Sequence, residues 1–209
     1  MTPRVVILSA PSGGGKTTIA QRLLRERPQD LGYSVSATTR PPRPGEQDGE
    51  AYHFLTRAEF ERRRAAGEFL ESAEYAGHLY GTLRSEVERL LQSGRHVVMD
   101  IEIEGARHVR KAYPWPRSVS VFILPPSVEA LLERLRERRS ESAQDLAQRL
   151  KRAVEEVGAA TEFDYWVVND RLDDAVKEIG AIIDGRRPRG RPSPEQSQLI
   201  DDVRRGLRT

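Results

Sequence analysis

Short apolar runs and helical periodicities alternate along most of this chain. Arg4-Val-Val-Ile-Leu-Ser9, His96-Val-Val-Met-Asp100 and Ser118–Leu124 are apolar without alternation and are flanked by turn residues, which predicts strands buried on both faces. Tyr165–Val168 predicts a shorter one. Between them, helical spacing predicts a helix from Lys16 to Arg27, with Ile19, Leu23 and Leu24 facing inward and Pro28 as the stop. Further helices are expected over Ser85–Ser93, from Ser127 to Arg139, from Ser142 to Val157 and over Asp173–Ile183, with Ser127 and Ser142 as caps. Strands alternating with helices predict an α/β fold built on a parallel sheet.

Residues 33–83 break this rhythm. Tyr33–Ala37 reads as extended, Pro41, Pro42, Pro44 and Gly45 forbid a helix, and Thr56 with Glu59 has capping-box spacing ahead of a helix from Arg57 to Ala66. The stretch is therefore expected to be an inserted subdomain. The core would then comprise 1–32, 84–126 and 158–185, with 127–157 a separate helical unit. Beyond it, Arg186–Arg191 is a Pro/Gly/Arg linker, expected to be mobile. Ser193-Pro-Glu-Gln196 then has the spacing of a capped helix start, and Leu199, Ile200, Val203 and Leu207 share one face. Such a helix could dock on the body, serve a partner, or be a marginal terminal helix without consequence.

Composition narrows the chemistry. The absence of cysteine excludes thiol catalysis and Cys-ligated metal centres. The longest apolar stretch near the N-terminus, Val5–Leu8, is too short for a secretion signal or a membrane span, so the expected location is the cytoplasm, with no membrane partner. Net charge is +2, but seven arginines against Glu195, Asp201 and Asp202 give the tail +4, leaving the body at −2. The body thus carries no overall positive field, and nucleic acid is not an expected partner.

Ala10-Pro11-Ser12-Gly13-Gly14-Gly15-Lys16-Thr17 follows the first predicted strand and opens the first predicted helix. It fits the Walker A pattern with Ala in place of the first Gly. Consecutive glycines let backbone N–H groups converge on phosphate oxygens, the helix adds its positive end, Lys16 places a charge on the β- and γ-phosphates, and the Thr17 hydroxyl can ligate Mg²⁺. Thr18 completes the candidate ATP-binding run.

A second anion site is suggested by Arg40 and Arg43, three residues apart on a proline-stiffened segment, with Tyr52 and Tyr80 near in sequence. The surrounding segments are more specific. Ser34-Val-Ser-Ala-Thr-Thr-Arg-Pro-Pro-Arg-Pro-Gly-Glu46, Gly49-Glu-Ala-Tyr-His-Phe54, Gly67-Glu-Phe-Leu-Glu71, Gly77-His-Leu-Tyr-Gly-Thr82, Asp100-Ile-Glu-Ile-Glu-Gly105 and Asp164-Tyr-Trp-Val-Val-Asn169-Asp170 resemble, in order, the segments of guanylate kinases. The resemblance runs from about residue 4 to 184. It implies ATP-dependent phosphorylation of GMP, with dGMP a further candidate acceptor. By that resemblance Arg40, Arg43, Tyr52 and Tyr80 would hold the GMP phosphate. Ser36, Glu71 and Thr82 would read guanine with Asp100 nearby, and Asn169 would lie beside the adenine of ATP. Guanine offers N1–H and an N2 amino group side by side to a carboxylate, whereas adenine presents a bare acceptor.

A monophosphate's second pKa is about 6, so the attacking oxygen is largely ionised and needs no general base. His53, His78, His96 and His108 are accordingly expected to be structural or superficial. By resemblance, residues 127–157 form a lid whose Arg138 and Arg149 fold over the transferring phosphoryl group, with Arg134 one turn before Arg138. Such kinases usually carry Gly-Thr where this chain has Arg139-Ser140, a change expected to stiffen or redirect the lid. Asp100 ends a strand as a Walker B carboxylate does, so it could orient an Mg²⁺ water, the purine, or both. Scaffold domains of this type that bind peptides lack the phosphate cradle that Lys16 and Thr17 complete here.

Overall fold

A computed structural model describes residues 2–75, 77–136 and 143–207. Five parallel strands form the main sheet: β1 (Val5–Ser9), β2 (Leu31–Tyr33), β7 (His96–Asp100), β8 (Ser118–Leu124) and β9 (Tyr165–Val168), in spatial order β2-β7-β1-β8-β9. The apolar runs read from the sequence account for four of them, because strands covered on both faces have no polar side to alternate with. Along β1, Val6 and Leu8 enter one core and Val5 and Ile7 the other. On the first face pack α1 (Lys16–Glu26) and α7 (Leu172–Ile183), burying Ile19 and Leu23, and Val176 and Ile179. On the opposite face pack α3 (Arg84–Gln92), α4 (Ile103–Ala112), α5 (Val128–Arg136), α6 (Ala143–Gly158) and α8 (Pro194–Gly206). A 3-10 turn at Ala160–Glu162 leads into β9.

The extended stretch expected over Tyr33–Ala37 is divided between two sheets. The first sheet's strand ends at Tyr33, and Ala37–Thr38 begins β3 of a four-stranded sheet completed by β4 (His53–Phe54), β5 (Phe69–Tyr75) and β6 (His78–Leu83), in order β4-β3-β6-β5. The predicted helix is α2 (Arg57–Ala65), capped as expected by the Thr56 hydroxyl, which accepts from the Glu59 N–H at 3.2 Å. Beneath this sheet lies a small core in which Phe60 and Phe69 stack at 4.3 Å between centroids beside Ala37, Leu79 and Leu83.

Helix α4 is not among the predicted helices, although Ile103, Ala106 and Val109 recur at helical spacing, and the two helices on either side of 137–142 are described only as far as Arg136 and from Ala143 onward. The expected capping by Ser142 and the end of the preceding helix at Arg139 lie outside the described residues. Ser127 does cap α5, its hydroxyl accepting from the Ala130 N–H at 3.2 Å.

Gly81 of β6 shows how closely the second sheet is packed: a Cβ there would lie 2.8 Å from the Glu71 carbonyl oxygen and 2.8 Å from the Phe69 ring. Gly81→Ala should therefore destabilise the protein by about 1–3 kcal/mol, read as a lower urea midpoint at unchanged slope.

Candidate nucleotide-binding site

The chain between β1 and α1 turns through Gly13 and Gly15, whose φ angles of +84° and +89° are open to glycine without strain. The turn is closed by Gly14 N–H donating to the Pro11 carbonyl at 2.7 Å. A Cβ on Gly15 would lie 2.4 Å from the Asn169 amide nitrogen, and that amide in turn donates to the Gly14 carbonyl at 3.0 Å. Asn169 thus fixes the cradle from the end of β9. Ala10, Pro11, Ser12, Gly13, Gly14, Gly15, Lys16, Thr17, Thr18, Asn169 and Arg149 all line one cavity of about 750 Å³. Arg138, Arg139 and Ser140 lie outside the described residues.

Six further residues line this cavity: Arg134, which the sequence reading places one turn before Arg138, and Glu102, Arg152, Glu156, Asp170 and Leu172, which were not among its candidate site residues. One guanidinium nitrogen of Arg134 donates to the Asn169 carbonyl at 3.3 Å, and the other, Nη1, is buried without a partner in the protein. Arg149, Arg152 and Glu156 follow helical spacing along one face of α6, a signal available in the sequence once the helix is accepted. The Glu156 carboxylate accepts from the Ser12 N–H at 2.9 Å. Burial pushes its pKa up to about 7, opposed by that hydrogen bond, reinforced by Glu102 and again opposed by Lys16 and Arg152.

Of the candidate acceptor residues, Glu71, Tyr80 and Thr82 lie on strands of the second sheet, Arg40, Arg43 and Tyr52 on the connection between β3 and β4, and Asp100 at the end of β7. Glu71 of β5 pairs with Thr82 of β6, whose hydroxyl donates to the Glu71 carboxylate at 2.7 Å. One extra residue in β5, Leu70, shifts the register, and this turns Glu71 away from the face that carries Phe69. Behind the carboxylate stands Gly105 of α4, where a Cβ would come within 3.2 Å of Glu71 Oε2. Burial raises the Glu71 pKa, the Thr82 hydroxyl lowers it, and His108 also lowers it.

Tyr52 and Tyr80 meet edge to face at 6.0 Å, and the Arg40 guanidinium lies 5.4 Å from the Tyr52 ring centre. Arg40 is also paired with Glu46 at 2.9 Å and donates to the Pro41 carbonyl at 2.7 Å. The other Glu46 oxygen accepts from the Arg43 N–H at 2.7 Å. An acceptor phosphate on Arg40 would share or displace that carboxylate, a competition not visible in the spacing of the two arginines. Ser36 is half-buried just before β3, and its carbonyl accepts from the His53 N–H at 2.9 Å.

Asp100 joins the two groups. Its Oδ2 accepts from the Thr17 hydroxyl at 2.8 Å and its Oδ1 from the Tyr33 hydroxyl at 2.7 Å, so the cradle helix and the end of β2, where the chain leaves the main sheet for the second one, meet on one carboxylate. Burial raises the pKa of Tyr52, Tyr80 adds to the rise, Arg40 opposes it, and the negative charge on Asp100 contributes a smaller increase. Of the histidines, His96 is buried at the sheet's rim and accepts from the Arg4 N–H at 3.2 Å.

A glycine cradle with Lys16 and Thr17 at the carboxyl end of a parallel sheet defines a P-loop nucleotide-binding protein. The family model for guanylate kinase matches residues 2–186. Among curated proteins, a guanylate kinase of Nostoc sp. is 50% identical over 185 residues, covering 88% of this chain and 92% of its own. One from Synechococcus sp. is 52% identical over 180 residues, covering 86% and 97%. The crystal structure of guanylate kinase from Anaplasma phagocytophilum superposes with a TM-score of 0.69 at 32% identity, covering 88% of this chain and 86% of that one. The chain belongs to the guanylate kinase family.

Because Glu156 has a raised pKa in the folded state, the folded chain holds its proton through a window in which the unfolded chain has lost it. Wild-type stability should therefore fall from about pH 4.5 to 7 relative to Glu156→Gln and then run parallel to it, as measured by urea unfolding across that range.

Proposed function

We propose that this protein catalyses ATP + GMP ⇌ ADP + GDP. An ionised oxygen of the GMP phosphate attacks the γ-phosphorus of ATP, a new P–O bond forms, and the bond to the β-phosphate oxygen breaks in line, leaving ADP. The observation that carries this reading is the shared Asp100 carboxylate, bonded to Thr17 at 2.8 Å on the ATP side and to Tyr33 at 2.7 Å at the end of β2, and near enough to Tyr52 for its charge to act on that phenol. It supports two phosphate sites opening toward each other at the ends of β1 and β7.

In this reading the amides of Gly13–Thr18 and the Lys16 ammonium hold the ATP phosphates, and Arg134 and Arg149 add positive charge from the helices opposite. Arg40, Arg43, Tyr52 and Tyr80 hold the GMP phosphate. Glu71, Thr82 and Ser36 read guanine, whose paired N–H donors would keep the half-buried Glu71 ionised. Residues 127–157, with Arg138 and Arg149, act as a lid that excludes water, over a core of 1–32, 84–126 and 158–185 and an acceptor-binding unit of 33–83.

Mg²⁺ fits the donor set. Thr17 is exposed at the cradle rim with Asp100 beside it, and among the described residues no three His, Cys, Asp or Glu side chains could hold an ion unaided. An ion there would take the Thr17 hydroxyl and complete its shell with phosphate oxygens and water, the preference of Mg²⁺. Mg²⁺ held there would supply charge neutralisation at the ATP phosphates, and Asp100 would orient a water on it. No helix among the described residues is long and apolar enough to cross a membrane, which supports a cytosolic enzyme working on soluble nucleotides.

A coupled ADP-release assay with ATP, Mg²⁺ and GMP, dGMP, AMP, UMP or ribose 5-phosphate tests the assignment. Turnover is expected with GMP and, more slowly, dGMP; equal rates with AMP or a sugar phosphate would refute it. Lys16→Ala should lower kcat by at least about a hundredfold. Glu71→Gln should cost about a hundredfold or more in kcat/KM for GMP while leaving the KM for ATP unchanged.

A further inference from the structure

Residues 187–207 lie beyond the family match, which ends at residue 186, yet they are tied to the body throughout. The linker is irregular but pinned. The Tyr165 hydroxyl donates to the Arg187 carbonyl at 3.2 Å, and the Arg187 guanidinium pairs with Glu178 at 3.0 Å. Arg189 reaches the buried Asp164 at 2.7 Å and lies over the Trp115 ring at 5.1 Å. The other Asp164 oxygen is taken by the Ser120 N–H and hydroxyl at 3.0 and 2.7 Å, so Arg189 helps neutralise a carboxylate fixed in the sheet.

Helix α8 then starts as its sequence dictates, with the Ser193–Gln196 capping box and Pro194 in the first turn. Gln196 also donates to the Trp166 carbonyl at 2.9 Å. Ile200, Val203 and Leu207 enter the main core together with Leu131 and Leu135 of α5 and Ala153 and Val157 of α6. At Gly206 the α8 backbone comes so near α5 that a Cβ would lie 2.6 Å from Val128 Cγ1.

The helix that α8 grips from behind is the one that touches the phosphate cradle in front. Arg149, Arg152 and Glu156 of α6 line the nucleotide cavity, and Glu156 holds the Ser12 N–H at 2.9 Å. We infer that residues 187–207 are a positioning element for the ATP side of the site, bracing α6 so that Glu156 and the cavity arginines stay in register with the cradle. This deepens the proposed function and rests on it, since the brace matters to catalysis only if the cavity receives ATP. Were α8 released, the apolar rear of α6 would face water and its hold on Ser12 would lose its backing.

The test uses the full chain carrying Val203→Ser with Leu207→Ser, and separately Gly206→Val, with Leu207→Met as the conservative control. Steady-state kinetics should give a KM for ATP raised about tenfold and a KM for GMP within about twofold of wild type, with Leu207→Met near wild type in both. Amide hydrogen exchange should quicken at 149–158 and at Ser12 but not in β1 or β8. An unchanged KM for ATP, with exchange showing α8 detached, overturns the inference. So do equal losses for both nucleotides with quickened exchange in β1 and β8, because α8 would then only support the fold. If the wild type fails to phosphorylate GMP, the proposed function falls. Calorimetric titration with a non-hydrolysable ATP analogue then decides the brace, which stands if the variants bind more weakly and fails if they bind alike.

Discussion

Parallel pairing between β1 and β7 sets Leu8 opposite Asp100, and the site depends on that register. It brings a carboxylate to the place where β1 gives way to the glycine turn, within 2.8 Å of the first turn of α1. Each hydrogen bond to the charged group contributes about 1.5–3 kcal/mol. The larger effect is geometric, because Thr17 and Tyr33 belong to different elements and are aligned through the same two oxygens. Slipping the pairing by one residue would send the side chain to the other face of the sheet.

The two halves of the site are built from different materials. In the proposed function the ATP side takes its donors from main-chain amides and from arginines carried on helices, backed by Asn169 and Glu156. The acceptor side takes them from side chains of a small sheet with its own aromatic core and of the connection between β3 and β4. Glu102, at the start of α4, lies between them, and its charge raises the pKa of both Glu71 and Glu156. The space between the two phosphate sites is thus bordered by acids as well as bases, which confines strong positive potential to the anion positions themselves.

Much of this was legible in the sequence where the determinants are local. The buried strands show as apolar runs, the cradle as three glycines before Lys16, and the starts of α2, α5 and α8 as capping residues. What the sequence concealed depends on distant partners. Helix α4 spaces Ile103, Ala106 and Val109 along one face, but it starts without a capping side chain and carries Gly105 in its first turn, where the helix comes close to Glu71. Tyr33–Ala37 has uniform strand character, yet two sheets compete for it. The Arg40–Glu46 pair and the hold of Glu156 on Ser12 join charges whose neighbours in sequence give no hint of each other. For the last helix, periodicity marked the apolar face but not the surface that would cover it.

The extra residue in β5 has a mechanical consequence. Leu70 leaves the small core that holds its neighbour Phe69 and enters the main core, where it is 7% exposed, against the side served by α4. Lifting the small sheet straight off the body would draw that side chain into water at about 1.5–3 kcal/mol. Rotation about Leu70 keeps it covered. The small sheet is therefore pegged to the body at Leu70 as well as continuous with it where β6 runs into α3.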